Sequence, residues 1–220
     1  MGSPFGTAGN ILKRKLTGEK YKPERFRVGM TIPYDPTPFL LSAGTTRVTP
    51  PEGVGAGSLL NVTAVGTLRD GATLTRLYLD DRRFFQLHLD EAENPDECRY
   101  FVLADEVAPA TAEEWAFWLD ERDGLIGWPQ FQMKDGRTYE RAWAAGPERA
   151  PPRTFTEEIV AAGGTRTLTL HAMLYVASTG AAAPAPEAEY LFVAAVDAQS
   201  RAWVEIRAGI DVNPASLNLT

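Results

Sequence analysis

The stretch Gly124-Leu-Ile-Gly-Trp-Pro-Gln-Phe-Gln-Met-Lys-Asp-Gly-Arg-Thr-Tyr-Glu-Arg-Ala-Trp143 decides how the rest of the chain is read. Asp135-Gly136 is a turn dipeptide, because a tight hairpin turn needs positive φ, which Gly tolerates freely and Asp better than most residues. Alternation flanks it on both sides. Trp128, Gln130 and Gln132 alternate with Pro129, Phe131 and Met133; beyond the turn, Tyr139, Arg141 and Trp143 share one face and Glu140 and Ala142 the other. This pattern predicts a β-hairpin, and similar alternation runs along most of the chain.

Moving outward, Leu60, Val62 and Ala64 alternate up to Leu68, Asp70-Gly71 turns the chain, and Leu74–Leu79, Arg83–Leu89 and Cys98–Leu103 continue as strands. Turn signals spaced every 8 to 12 residues or so mark a β-meander. After the hairpin, 155–161, 165–177, 189–196 and 201–210 read as further strands, with Ala181–Pro186 as an exposed loop whose prolines exclude it from a sheet interior. One helix is signalled. Thr111-Ala-Glu-Glu114 is a capping box, in which the Thr111 hydroxyl takes the Glu114 N–H and the Glu114 carboxylate reaches back to the Thr111 N–H. Trp115, Trp118 and Leu119 then form one apolar stripe, and Gly124 is the expected end-cap.

The fold expected is mainly β (α+β by strict count): antiparallel meanders, roughly ten strands, in two similar lobes at 58–106 and 124–212, with one well-capped linking helix at 111–121. An internal echo motivates the paired lobes. Asp70-Gly71-x-Thr73-x-x-Arg76-x-Tyr78 lines up with Asp135-Gly136-x-Thr138-x-x-Arg141-x-Trp143. Ahead of the 58–220 domain lies a segment, 1–57, basic at first and then rich in Gly and Pro, with a short helix expected at 8–17. Gly53-x-Gly55-x-Gly57 leads into a strand and lacks the Lys-Ser/Thr pair of a nucleotide loop, so it is read as a turn-rich linker.

With 220 residues the chain is long enough to bury a core without staples, and 44% apolar and 23% charged residues are ordinary values. The single cysteine, Cys98, permits no intrachain disulfide. That absence, with no apolar signal core and no apolar run of roughly 20 residues, gives a cytoplasmic expectation. The net charge of −7 is uneven. Residues 1–30 carry seven bases and two acids, a balance of +5, so the remaining residues carry 15 bases and 27 acids, a balance of −12. An acidic body argues against nucleic-acid binding. The basic arm, with Lys13, Arg14 and Lys15 at its centre, is either a solvated leader or a contact for an acidic partner or an anionic membrane surface.

Chemistry-bearing patterns are few. The histidines are His88 and His171 only, no Cys/His cluster suits zinc, and no hydrolase or calcium-loop motif is present. No catalytic residue, metal or cofactor is assigned. Cys98 is read as a small buried apolar residue within a strand. Glu157 and Glu158 are adjacent on a strand, so they point to opposite faces, and one of them is expected to pair with a sheet arginine. The polar constellation Arg76, Tyr78, Gln86, Gln130, Arg141 and Glu157 lies on predicted strands. Structural pairing is its first reading; a ligand site built from Arg76, Tyr78, Gln86, Arg141 and Glu157 is the other.

Several motifs carry a resemblance: Leu74-x-Arg76-x-Tyr78-x-Asp80-Asp81, Glu114-Trp115-x-x-Trp118-Leu119, Gly124-Leu-Ile-Gly127-x-Pro-x-Phe131, Tyr139-x-Arg141-x-Trp143, Phe155-x-Glu157, Glu189-Tyr190-Leu191 and Glu205-Ile-Arg-x-Gly209-Ile210. In their order, over about 60–212, they resemble the YjfK-like bacterial proteins, a domain family of unknown function. The resemblance supplies no catalytic or binding residues. It implies an accessory role near phage-shock-like membrane-stress proteins, at the inner face of the bacterial membrane. The leading expectation is therefore a non-enzymatic protein that docks on a membrane-associated protein partner, with peripheral membrane contact; the alternative is a small-ligand binder or an unrecognised enzyme.

Overall fold

The alternating segments form strands, and the strands close on one another. A computed structural model describes residues 25–70, 72–90 and 94–217. The first meander consists of β3 (Ala64–Asp70), β4 (Ala72–Tyr78), β5 (Arg83–Leu89) and β6 (Pro95–Val107). The second consists of β9 (Arg153–Ala161), β10 (Gly164–Ser178), β11 (Ala188–Asp197) and β12 (Ala202–Asp211). Within each meander, neighbours in sequence pair antiparallel. The outer strands then pair across the gap, β3 with β9 and β6 with β12, also antiparallel. The result is a closed eight-stranded antiparallel barrel, the arrangement that removes free sheet edges altogether.

The mainly β class and the single well-capped helix between two meanders are as the sequence reads. The two meanders are the halves of one barrel. The two Asp-Gly hairpins are not structural counterparts. The first joins β3 to β4 within the barrel wall, with Asp70 paired to Ala72 and Gly71 outside the described residues. The second joins β7 (Gln130–Gln132) to β8 (Thr138–Arg141), a short hairpin outside the barrel wall that pairs with it where β8 meets β10 at Tyr175 and Val176. Its Gly136 has φ +88°, as the turn dipeptide requires.

Strand alternation produces two cores. Side chains facing into the barrel include Leu68, Phe84, Phe101, Phe155, Ile159 and Phe192. Side chains on the outer face, such as Leu77, Phe85, Tyr100, Leu191, Val204 and Ile210, form a second apolar layer. Two covers bury that layer. One is the N-terminal segment, where β1 (Thr31–Pro33) pairs with β2 (Leu59–Asn61) and sets buried Ile32 opposite Leu60, and where α1 (Thr37–Ser42) contributes Phe39. The other is the long β6–β9 connection, which carries α2 (Ala112–Leu119) and the β7–β8 hairpin and contributes Trp118, Ile126, Phe131 and Tyr139. Trp115 and Leu119 pack against the same layer, so the helix stripe faces a core, while Phe117 is exposed.

Local expectations need four adjustments. The strand read as continuous from Leu59 is broken at Val62 and Thr63, whose N–H groups bond to the Met30 and Tyr78 carbonyls and turn the chain from β2 into β3. Twelve strands are present among the described residues, because short β1 lies in the segment read as irregular and the stretch read from Leu59 divides into β2 and β3. The helix cap is shifted: Glu114 N–H donates to Thr111 Oγ1 at 3.2 Å, but the Glu114 carboxylate accepts from Ala110 N–H at 2.6 Å, one residue before the cap. The helix ends at Leu119 with Asp120 as its cap, and Gly124 is needed for close approach instead: a Cβ there would stand 2.5 Å from the Asp120 nitrogen. The helix expected at 8–17 and the residues Lys13, Arg14 and Lys15 lie outside the described residues.

Candidate functional site

The barrel interior concentrates polar side chains, and strand alternation places them there. On β4 the inward series is Leu74, Arg76, Tyr78; on β5 it is Phe84, Gln86, His88; on β9 it is Phe155, Glu157, Ile159; on β12 it is Trp203, Glu205, Arg207. Four of the five ligand-site residues read from the sequence therefore converge. Arg76 Nε donates to Gln86 Oε1 at 3.0 Å, and its Nη1 donates to Glu157 Oε2 at 2.9 Å. Tyr78 OH donates to the other oxygen, Glu157 Oε1, at 2.6 Å. Arg76 is 1% exposed and Glu157 0%, so neither charge has solvent to stabilise it and each depends on its partner. Glu158, its chain neighbour, is exposed on the outer side.

The fifth residue, Arg141, is elsewhere. It binds the carbonyls of Gly127, Ala144, Ala145, Gly146 and Glu148, clamping the loop after the hairpin. Gln130, also in the constellation, is exposed and donates to Glu140.

Two residues absent from the predicted site belong to it. Arg207 forms a two-point pair with Glu205, Nε to Oε1 at 2.8 Å and Nη2 to Oε2 at 3.0 Å. Its remaining donors reach the carbonyls of Arg82 and Asp81 in the β4–β5 turn at 3.0 and 3.2 Å. The signal was the step Glu205-x-Arg207 inside an apolar strand, which puts opposite charges on one face two residues apart. Both guanidinium groups pack on aromatic rings. Arg76 lies 4.4 Å from the Phe84 ring centre and 4.8 Å from that of Phe192, and Arg207 lies 5.0 Å from Phe84, within reach of the attraction between a cation and a ring face.

Burial and charge set the protonation of this cluster. Burial works against the Arg76 cation, yet Glu157, Tyr78 and Glu205 together outweigh it and hold the guanidinium charged. Burial, with the Glu157 charge beside it, pushes the Tyr78 phenol well above its ordinary range, so it stays a donor. Burial likewise opposes ionisation of Glu205, but the charge and hydrogen bonds of Arg207 win, and its carboxyl sits below the ordinary value.

Cavities open at the two ends of the barrel, on either side of the Phe84–Phe101–Phe192 plug. The wider, of about 620 Å³, is at the end carrying the β4–β5, β9–β10 and β11–β12 turns; Tyr78, Glu157, Glu205 and Arg207 form its floor. The narrower, of about 270 Å³, is lined by Gln86, His88, Asp96, Trp143 and Arg153 among others. There His88 Nδ1 stands 2.6 Å from Asp96 Oδ1. The chain Gln86–Arg76–Glu157–Tyr78 thus runs from the lining of one cavity to the lining of the other. Cys98 faces the outer core, on the other side of the wall from His88, and is buried there. Among the described residues, no group of three or more His, Cys, Asp or Glu side chains is placed to hold a metal ion, and no helix is long and apolar enough to cross a membrane.

A third buried carboxylate ties the covers to the barrel. Glu189, at the start of β11 and 0% exposed, accepts from Tyr139 OH at 2.7 Å and pairs with Arg137 at 2.8 Å, while Arg47 approaches from the N-terminal segment.

Residues 12–218 match the family described as "Protein of unknown function (DUF2491)". The chain belongs to that family. The match spans the N-terminal cover, the barrel and the helix–hairpin connection together. No curated protein and no solved structure is matched by this chain. The family description carries no chemistry, so function rests on the geometry of the site.

The Glu205–Arg207 pair has a pH signature. A carboxyl whose folded pKa lies below its unfolded value of about 4.3 contributes stability that is fully present above that value and is lost as pH falls through the folded one. Urea unfolding from pH 6 to pH 3 is expected to show declining stability in the parent chain. Glu205→Gln should be less stable by about 3 kcal/mol at pH 6, since Arg207 is left without its charge partner, and its decline towards pH 3 should be shallower. Equal slopes in the two proteins would contradict this role for the pair.

Proposed function

We propose that this protein binds a small molecule in the wide mouth of its barrel, as a carrier or sensor. The observation that carries this reading is the cavity of about 620 Å³ that ends on the buried ion pairs. Its size falls in the range of small-molecule sites, which run from about 300 to 1,000 Å³, and eight-stranded barrels have interiors wide enough to hold one small ligand. Apolar wall and polar floor are combined in it, the mixture that lets burial supply affinity while a few fixed polar groups supply orientation. The acids and bases of the floor are already engaged with one another. That favours binding over catalysis, because a general base or nucleophile needs a free partner position.

The test is a thermal-shift screen of a small-molecule library on the parent chain and on Ala198→Trp. Ala198 is half-buried in the wall of this mouth, and an indole there occupies the space a ligand needs. Compounds that raise the melting temperature of the parent and lose that effect in Ala198→Trp are the expected result. Hits that act equally on both proteins would place binding outside the mouth.

A second reading is favoured by the charge split of +5 in residues 1–30 against −12 in the remainder. It makes the chain a cytoplasmic accessory protein that docks through its basic arm, at Lys13, Arg14 and Lys15, on a membrane-associated protein partner linked to membrane stress. Exposed Leu40, Leu59 and Phe117 on the cover segments add apolar surface for such docking. Affinity capture from bacterial lysate and solubilised membranes, with and without residues 1–28, separates the cases. A specific partner lost on truncation supports docking through the arm; the same partners recovered by both forms would remove the arm from the account.

A further inference from the structure

The charges of the wide mouth do not cancel. Three of its acids are matched: Glu205 by Arg207 at 2.8 Å, Glu106 by Arg201 at 2.6 Å, and Glu157 by Arg76 just behind the wall at 2.9 Å. Arg82, in the β4–β5 turn, and Arg166, near the start of β10, remain. Both are exposed, and neither side chain forms a hydrogen bond or ion pair with any described residue. Asp81 is the one other charged residue of this lining, so the rim keeps an excess of one positive charge. It does so on a protein whose body beyond residue 30 carries −12. Below the rim, Leu103, Ile159, Leu168, Leu170, Val196 and Trp203 give the mouth an apolar wall. The floor is neutral, with two arginines against two glutamates, and offers no unmatched charge to an ionic group.

From this arrangement we infer that the ligand of the wide mouth is a single-chain anionic amphiphile. Its apolar body lies along the wall, and its acid head, a carboxylate or a phosphate monoester, stays at the rim in the field of Arg82 and Arg166. The inference rests on the ligand-binding reading and adds the chemistry of the ligand to it. The orientation follows from cost. An anion driven to the floor would meet Glu157 and Glu205 and lose its water, whereas at the rim it remains hydrated and meets two guanidinium forks that suit carboxylate and phosphate oxygens.

The experiment is calorimetric titration of the full chain with four twelve-carbon probes, each below its micelle concentration: dodecanoate, dodecyl phosphate, dodecanol and dodecyltrimethylammonium. Dodecanoate, dodecyl phosphate or both should bind at least about tenfold tighter than dodecanol, the gain expected of one or two charge-assisted contacts, and the cation should bind weakest. Arg82→Gln combined with Arg166→Gln, at exposed positions that the core does not need, should bring the anions to the level of dodecanol, while Ala198→Trp should abolish binding of all four. Dodecanol binding as tightly as dodecanoate, or anion affinity unchanged in the double variant, would overturn the assignment of the head. If none of the four binds while library hits sensitive to Ala198→Trp exist, the amphiphile class is wrong and the ligand-binding reading stands. If nothing that binds is sensitive to Ala198→Trp, both fall.

Discussion

Two buried arginines hold this barrel together from within. The chain supplies two four-stranded meanders, and closure needs two seams, β3 with β9 and β6 with β12. Arg76 on β4 reaches past β3 to Glu157 on β9, bridging the first seam. Arg207 on β12 reaches the carbonyls of Asp81 and Arg82 in the β4–β5 turn, tying the second meander to the first on the other side. Both rest on the same ring, Phe84. Buried ion pairs seldom outdo a well-packed apolar replacement in stability, but an unmatched one is costly. Their effect here is on register. A slip of one residue at the β3–β9 seam would turn Glu157 to the outer face and strand Arg76 in the core. Gly66 makes the contact possible: it sits on β3 between the two partners, opposite Arg76 and Ile159, where a Cβ would collide with the Glu157 carboxylate.

The same interactions shape the space that is left. Aromatic rings and the two guanidinium groups fill the middle of the barrel, so open volume survives only at its ends. At the wide end the paired charges become a floor, fixed by its own hydrogen bonds before any ligand arrives. A site organised in this way orients a guest without first rearranging, which lowers the cost of binding. At the narrow end, Gln86 connects the Arg76 cluster to a smaller cavity that holds the His88–Asp96 pair. The outer face has a different task. Its apolar layer is buried under the N-terminal cover and the helix–hairpin connection, which Glu189 ties down through Tyr139 and Arg137.

Much of this was legible in the residues, because period-two alternation is a local property. Arg83–Leu89 reads as a strand and is one, and the capping box and aromatic stripe of α2 lie within a few residues of each other. That one of Glu157 and Glu158 pairs with a sheet arginine was also legible, since burial leaves a strand charge few other options; the structure makes it Glu157. Closure was not. Which edge meets which depends on partners about 90 residues apart, such as Leu68 and Glu157, and no local pattern encodes that distance. The echo between the Asp-Gly hairpins misled for the same reason: identical turn chemistry serves Arg76 in the barrel wall and Arg141 in an external loop clamp. Glu205 and Arg207 went unread as a pair because neighbouring apolar residues dominate the strand, although their spacing of two put both on one face.

Native-state hydrogen exchange in low urea tests the stapled, closed barrel most directly. Amides along both seams, Val65–Arg69 facing Thr156–Val160 and Arg99–Val107 facing Val204–Asp211, should exchange only through the opening that unfolds the whole barrel, with the same free energy and the same urea dependence. If either seam opened at distinctly lower free energy while the strands within each meander stayed protected, the halves would be two apposed sheets, and the account of an arginine-stapled barrel would be wrong.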